Sequence, residues 1–318
     1  MLPRYRGRFA PSPTGPLHFG SLVAAVASYL AARAVGGDWL VRIEDLDPPR
    51  ELPGAADRIV RALEAFGFEW TESIVRQSTR TEFYAAAVER LIEEGRAFPC
   101  SCSRAELQAV QPQRRQAEGE ELHYAGWCRN GVRKPDRPLA IRFRVPDGVI
   151  HFDDGVQGAQ VFDIAAETGD FVIRRRDGLH AYQLAVVVDD AAQGVTHVVR
   201  GSDLLSSTPR QIAVQGALRL PTPEYAHVPV ATDANGIKLS KSTGAAAINP
   251  DRPVSDLCRA LRFLRQAPPA ELVSATVGEV WQWAINHWRV QPLYGLRCGV
   301  IDSTSRGLLG PRRGDGLL

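Results

Sequence analysis

Arg8-Phe9-Ala10-Pro11-Ser12-Pro13-Thr14-Gly15-Pro16-Leu17-His18-Phe19-Gly20-Ser21 decides how the chain reads. Arg6 to Ala10 reads as a short strand, the Pro/Gly stretch as a loop, and a helix begins near Ser21. Leu22, Val26, Tyr29 and Leu30 recur behind it at helical spacing, and Trp39 to Glu44 reads as the next strand. Strand, helix and strand within about 40 residues form the βαβ unit of a parallel sheet. A helix that starts at the end of such a loop turns N–H groups and a positive dipole end toward any phosphate held there. Gly20 would let a bulky group lie against the backbone, and His18 can donate to developing phosphate charge. A Pro-rich turn with a satisfied histidine is the plainer reading of His18 alone, though not of the whole string.

Outward from this unit, Ile59, Leu63 and Phe66 form a helical face ended by Gly67, and Tyr84, Val88 and Leu91 another ended by Gly95. At Phe98 the pattern changes. Cys100 to Asp136 is polar and irregular, Leu139 to Val145 alternates like a half-buried strand, and strand-like runs continue to Arg175. Sheet-and-helix order resumes at Tyr182, with a strand over Val195 to Val199. Thr208-Pro209-Arg210-Gln211 reads as a helix start with a capping box. After Asn249-Pro250 the chain turns helical, and Trp281, Ala284, Ile285 and Trp288 make one apolar face, read as core. Residues beyond Cys298 are rich in Gly, Arg and Ser and read as a frayed end.

Composition sets outer limits. The 318 residues are 44% hydrophobic and 23% charged, which fits a folded globular protein of two or three domains. Leu22 to Ala32, the longest near-apolar stretch, is too short to cross a bilayer, so no membrane partner is expected. No apolar export segment precedes the first motif, so a cytoplasmic location is the default. A net charge of +2 excludes a general nucleic-acid binder, although Arg129 to Arg137 and Arg174-Arg175-Arg176 could meet a phosphate locally. The five cysteines do not suggest a disulfide framework. Cys100, Cys102 and Cys128 group together and point toward metal in a reducing compartment.

A second string, Lys238-Leu239-Ser240-Lys241-Ser242, lies more than 200 residues after the first. Two lysines three apart on a mobile loop can neutralise a pyrophosphate leaving group. Together the two strings resemble the paired signatures of class I aminoacyl-tRNA synthetases, in the form used by the glutamyl and glutaminyl branch. Ser21 stands where the first signature usually ends in His, and Leu239 where the second has Met. The resemblance implies an α/β, Rossmann-type catalytic domain with a zinc-containing insertion and a short helical C-terminal segment. It implies a division into 1–98 (first Rossmann half), 99–178 (insertion), 179–250 (second half with the lysine loop), 251–295 (helical stem-contact segment) and 296–318 (flexible tail).

Further residues narrow the substrate. Arg42-Ile43-Glu44-Asp45-Leu46-Asp47 puts a carboxylate at the end of a strand, where open α/β sheets bind ligands. By resemblance, Glu44 holds the ammonium of glutamate, Arg8, Tyr182 and Arg200 hold its carboxylates, and Phe9, Ala10, Pro11 and Ser12 belong to the same glutamate site. An acidic substrate calls for bidentate guanidinium groups. For Arg42 an ion pair between strands is an equal reading. His18, Gly20, Lys238 and Lys241 are implied to bind ATP with Mg²⁺, His18 and Lys241 being the catalytic pair. One structural Zn²⁺ per chain is expected on Cys100, Cys102 and Cys128. Chemistry alone would add His123, because imidazole binds zinc without ionising a phenol, whereas the resemblance favours Tyr124.

Only 76 residues follow Ser242. The shortened form and the cysteine cluster resemble the members of this family that lack anticodon-binding domains. Those enzymes activate L-glutamate without tRNA and transfer it to queuosine at the wobble position of tRNA(Asp). Three alternatives stand beside this reading: a truncated discriminating glutamyl-tRNA synthetase, a small-molecule adenylate-forming ligase, and a non-catalytic RNA-binding paralogue. Retention of both phosphate-facing strings argues against the last.

Overall fold

The computed structural model describes residues 4–111, 122–239 and 247–301. A first half runs β1 (Arg6–Phe9), α1 (Phe19–Arg33), β2 (Asp38–Ile43), α2 (Ala55–Ala65), β3 (Val75–Arg76) and α3 (Thr81–Glu93). A middle segment follows as β4 (Ala97–Cys100), α4 (Arg104–Ala109), β5 (Ala140–Phe143), β6 (Ile150–Asp154), β7 (Gly158–Phe162), α5 (Ile164–Glu167) and β8 (Val172–Arg174). The second half holds α6 (Tyr182–Ala192), β9 (His197–Gly201), α7 (Thr208–Leu218), β10 (Glu224–Val228) and β11 (Val230–Thr232). It continues through α8 (Pro253–Phe263), α9 (Val277–His287) and β12 (Cys298–Val300).

β1 pairs with β2 and β2 with β3, all parallel. β9 and β10 are parallel too, and β10 continues into β6 and β7. The two groups meet where β1 lies beside β9, and Thr196 N donates to the Arg6 carbonyl at 3.0 Å. The strand order therefore reads 3-2-1-9-10-6-7. Chain direction away from the centre reverses between β1 and β9, which is the ligand-binding crevice of doubly wound sheets. β2 is buried along its whole length, as a central parallel strand must be, yet it carries Arg42.

α1 is rich in Ala, ends on Arg33 near its negative dipole end, and buries most of its surface against β1, β9 and α8. Fully burying side chains such as Leu22, Leu30 and Ile43 contributes about 1.5–3 kcal/mol each. Tyr29, Trp39, Phe68 and Trp281 form an aromatic cluster with ring centroids 4.7–5.3 Å apart. Trp281 Nε1 donates to the Phe66 carbonyl at 2.9 Å, so the C-terminal helices dock on the first half, with Trp281 as core. Gly67, at φ +71°, leaves no room for a Cβ, which would stand 2.6 Å from Val277.

Three details depart from the sequence expectation. Residues 99–178 contribute to two sheets: β4, β5 and β8 make an antiparallel sheet with the cysteines, while the β6–β7 hairpin extends the parallel one. Alternation identifies a strand but not its partner. The end read as frayed begins with a strand, β12, paired in parallel with β11; residues 302–318 lie outside those described. Thr208 does not cap α7, which makes no side-chain cap bond; capping boxes occur instead at Ser103/Glu106 and Thr276/Glu279. Among the described residues no helix is long and apolar enough to cross a membrane.

Candidate active site and metal centre

The two signature strings meet. α1 starts two residues earlier than its sequence suggests because His18 is the N-cap: its Nδ1 accepts from Ser21 N at 3.3 Å. Nε2 then carries the proton and lies 3.2 Å from Ser21 Oγ. Histidine is not a favoured cap, so no capping rule pointed to it. His18 also pairs with Ala247 in an antiparallel bridge, and Ile248 N donates to the Leu17 carbonyl at 3.0 Å. On the other flank Lys238 bridges Thr232, and its Nζ meets Asp203 at 2.5 Å. A Cβ on Gly20 would stand 3.1 Å from the His18 ring and 3.5 Å from the Leu239 carbonyl. Residues 240–246, with Lys241, lie outside the described residues.

The proposed amino-acid subsite forms at the C-terminal ends of β1, β2 and β9. Arg8 is buried on β1 and gives its Nε edge to Asp190 of α6 at 3.2 Å; its Nη end makes no hydrogen bond among the described residues. Phe9 points into the core beside Trp39, Ala10 and Pro11 are half-buried, and Ser12 is exposed. The Pro11 carbonyl accepts from Glu44 N at 3.0 Å, which ties the loop after β1 to the end of β2. Arg42 reaches Glu44 at 3.2 Å, Asp190 at 2.8 Å and Asp189 at 3.8 Å, and donates to Gln193 at 2.7 Å. Its ion pair is thus a buried hub between strand and helix. Burial pushes the Glu44 carboxyl up, against the pull of Arg42 and Arg8. Burial also raises Asp190, but Arg8 and Arg42 outweigh it and hold that carboxyl below its usual range.

Arg200, at the end of β9, is buried and fully engaged on one side. Nη1 donates to Tyr182 Oη at 3.1 Å, Nη2 to Thr208 Oγ1 at 2.8 Å, and Nε to His227 Nε2 at 3.0 Å. The Thr208 hydroxyl is recruited here rather than to the helix cap. His227 Nδ1 lies 2.5 Å from Asp154 Oδ2, and the other Asp154 oxygen accepts from the N–H groups of Val156, Gln157 and His227. Sequence reasoning missed Asp154, His227, Asp189 and Asp190. Asp189-Asp190 carried a signal, as two adjacent acids near the end of an otherwise apolar helix. Asp154 and His227 carried none, being 73 residues apart.

Cys100, Cys102 and Cys128 gather with all three sulfurs within 4.8 Å of one another. Cys102 and Cys128 stand 3.6 Å apart, close to the roughly 3.8 Å edge of a tetrahedron with 2.3 Å zinc–sulfur bonds. Tyr124 Oη lies 3.4 Å from Cys100 Sγ and 4.0 Å from Cys102 Sγ, and accepts from Cys128 N at 2.7 Å. His123 turns elsewhere, with Nε2 3.1 Å from the Ala165 carbonyl. Arg142 donates to Cys100 Sγ at 3.4 Å and stacks over the Tyr124 ring, so positive charge faces the thiols. A soft trio of this size, with Cys100 and Cys128 buried and Cys102 partly exposed, is compatible with zinc. The basic residues nearby are largely committed. Arg129 grips Asp170 through two 2.6 Å bonds, Lys134 and Arg137 pair with Glu106, and Arg133 lies over Trp127.

Comparison with known proteins gives the chain its family. The family model described as tRNA synthetases class I (E and Q), catalytic domain, matches residues 4–255. A glutamyl-Q tRNA(Asp) synthetase from Ectopseudomonas mendocina (strain ymp) is 55% identical over 284 residues, covering 89% of this chain and 93% of that protein. One of the same name from Geobacter sulfurreducens is 54% identical over 287 residues, covering 89% and 91%. The solved glutamate-tRNA synthetase from Elizabethkingia anophelis matches with a TM-score of 0.78 at 26% identity, over 95% of this chain and 69% of that one.

Proposed function

The chain belongs to the glutamyl and glutaminyl family of class I tRNA synthetases, in its glutamyl-Q tRNA(Asp) branch, and from that premise we infer the reaction it performs. It is a ligase that joins L-glutamate to ATP as glutamyl-adenylate and passes the glutamyl group to queuosine of tRNA(Asp). The observation that carries this reading is the match to relatives of that name over 93% of the length of the first.

In the first step an oxygen of the glutamate α-carboxylate bonds to the α-phosphorus of ATP, and pyrophosphate leaves. In the second, a hydroxyl of the queuosine cyclopentenediol bonds to the acyl carbon, and AMP leaves. No protein nucleophile is needed; positioning and charge stabilisation carry the rate. Arg8, through the Nη end that makes no hydrogen bond among the described residues, and Arg200 with Tyr182 take the substrate carboxylates. Glu44, fixed by Arg42, takes the ammonium, and Ala10, Pro11 and Ser12 line the pocket on the loop that Glu44 ties down, with Phe9 packed behind them in the core. His18 at the head of α1, Gly20, Lys238 and Lys241 take the ATP phosphates, with His18 and Lys241 meeting the charge that grows in the transition state. Mg²⁺ arriving with ATP supplies further neutralisation of the phosphates.

One structural Zn²⁺ is held by Cys100, Cys102, Cys128 and Tyr124. The outward direction of His123 supports Tyr124 as the fourth ligand. Four protein ligands leave no position for an activated water. The deciding experiment offers radiolabelled glutamate to tRNA(Asp) with and without queuosine. Label should enter only the modified tRNA, and ribonuclease digestion should release it with the anticodon fragment rather than with the 3′-terminal adenosine. Charging of unmodified tRNA at the terminal ribose would overturn the assignment while leaving glutamate activation untouched.

A further inference from the structure

Arg200 cannot accept a hydrogen bond, so the 3.0 Å contact from its Nε requires a lone pair on His227 Nε2. The proton must then sit on Nδ1, which faces Asp154 at 2.5 Å. Asp154 cannot turn away, because its other oxygen accepts from the backbone N–H groups of Val156 and Gln157 in the β6–β7 turn and of His227 itself on β10. The tautomer of His227 is therefore fixed by the fold. All members of this chain are buried, so an N–H placed on Nε2 would face the Arg200 N–H with no water to relieve it.

We propose that His227, oriented by Asp154, is a positioning residue for glutamate recognition, its Nε2 lone pair holding the Arg200 guanidinium in register with Tyr182. The proposal rests on the reading that Arg200 binds a carboxylate of glutamate. It gives the enzyme a specific acid sensitivity. Protonated His227 would present two donors, one of them against Arg200, and would add a second positive charge beside it. The groups facing the ring are Asp154 from β6, Arg200 from β9, Asp203 just after β9, Thr208 from α7 and Tyr225 stacked on it from β10. Burial holds the imidazole below its ordinary value, partly countered by Asp154. The neutral form thus prevails near neutrality and gives way only on acidification.

The test is glutamate-dependent ATP–pyrophosphate exchange by the full chain, with KM measured for both substrates across pH. As pH falls below the ordinary imidazole value of about 6.5 and through the lower value of His227, KM for glutamate should rise about ten- to a hundredfold while KM for ATP does not follow. His227→Gln keeps an acceptor without a titrating proton, so it should restore most of the neutral-pH KM and abolish the acid rise. A flat glutamate KM in the natural protein, or an acid rise that persists in H227Q, overturns the proposal. Should H227Q fail to fold, nitrogen NMR of the natural protein decides the matter: an Nε2–H tautomer for His227 overturns it, an Nδ1–H tautomer with the acid rise upholds it. Arg200→Lys separates the two layers. If it leaves glutamate KM unchanged, the reading of Arg200 itself fails, whatever His227 does.

Discussion

Arg42 is a guanidinium with no exposure to water, on a strand otherwise built for a core. Burial alone would lower its affinity for a proton, but Asp190, Glu44 and Asp189 outweigh that and raise it. Three guanidinium groups, Arg8, Arg42 and Arg80, face three carboxylates, Glu44, Asp189 and Asp190, so the buried charge balances. Such a network adds little stability compared with an apolar core, yet removing one member is costly because its partners stay buried. Asp190→Asn should therefore destabilise the protein by about 3–5 kcal/mol at neutral pH, read from urea unfolding. The acid limb gives a second reading of the same residue. A carboxyl depressed in the fold contributes stability that is complete above its unfolded value, about 3.9, and is lost as pH falls through the folded value. Glu44, raised by burial, has the opposite sign: it takes its proton in the fold first, and stability gains slightly as pH falls toward about 4.3. The gap between natural protein and D190N should accordingly narrow below about pH 4; a gap of constant size would exclude Asp190 as a depressed carboxylate. At this scale the sequence named Arg8, Glu44, Tyr182 and Arg200 but not the acids that hold the arginines. Their partners come from distant elements, and pairing across a fold leaves no local pattern.

The elements were legible where one rule acted alone. β1, α1, β2, α2 and α3 follow from periodicity and from Gly67 and Gly95 beyond the helix ends, both in the left-handed region. They were misread where tertiary demand took a residue away, as with Thr208, whose hydroxyl serves Arg200 instead of α7. The cysteine sheet is a different case, because its order depends on something besides the chain. β4, β5 and β8 send Ala97, Ile141, Phe143 and Ile173 into the core shared with α3, α6 and α7, but their cysteine side rests on a small apolar cluster of Phe98, Cys100, Leu107, Leu122, Tyr124 and Cys128, a thin core for that side of three short strands. A bound metal would supply the missing cohesion. Purified protein should hold one Zn²⁺ per chain by elemental analysis. Tyr124→Phe should lower that occupancy and His123→Ala should not, since the imidazole points to Ala165. Chelation should expose the amides of β4, β5 and β8 to hydrogen exchange well before those of β1 and β2. Metal-free protein with the same protection and full activity would remove zinc from the account.

For the molecule as a whole, the order of assembly matters more than any one contact. The strings about His18 and Lys238 are far apart in sequence, and their meeting could not be derived from spacing; it follows from β1 and β9 lying side by side and from the return of the chain through Ala247 to His18. Fold class was readable because βαβ units recur on both sides of the insertion, whereas the route of the β6–β7 hairpin was not. Both halves of the proposed glutamate pocket are already braced without RNA: Arg8 by Asp190, Glu44 by Arg42 and the Pro11 loop, Arg200 by His227, Thr208 and Tyr182. A pocket braced in this way has little left for a nucleic acid to organise, because the ordering cost was met when the core folded. Glutamate-dependent ATP–pyrophosphate exchange should therefore proceed with no RNA present, and adding tRNA(Asp) should change its rate by less than about tenfold, the equivalent of 1.4 kcal/mol. The measurement needs nuclease-treated enzyme, so that copurified tRNA cannot supply the effect. An absolute dependence on tRNA would mean that the braced pocket is not the competent one, and that the acceptor completes the site for the adenylate step itself.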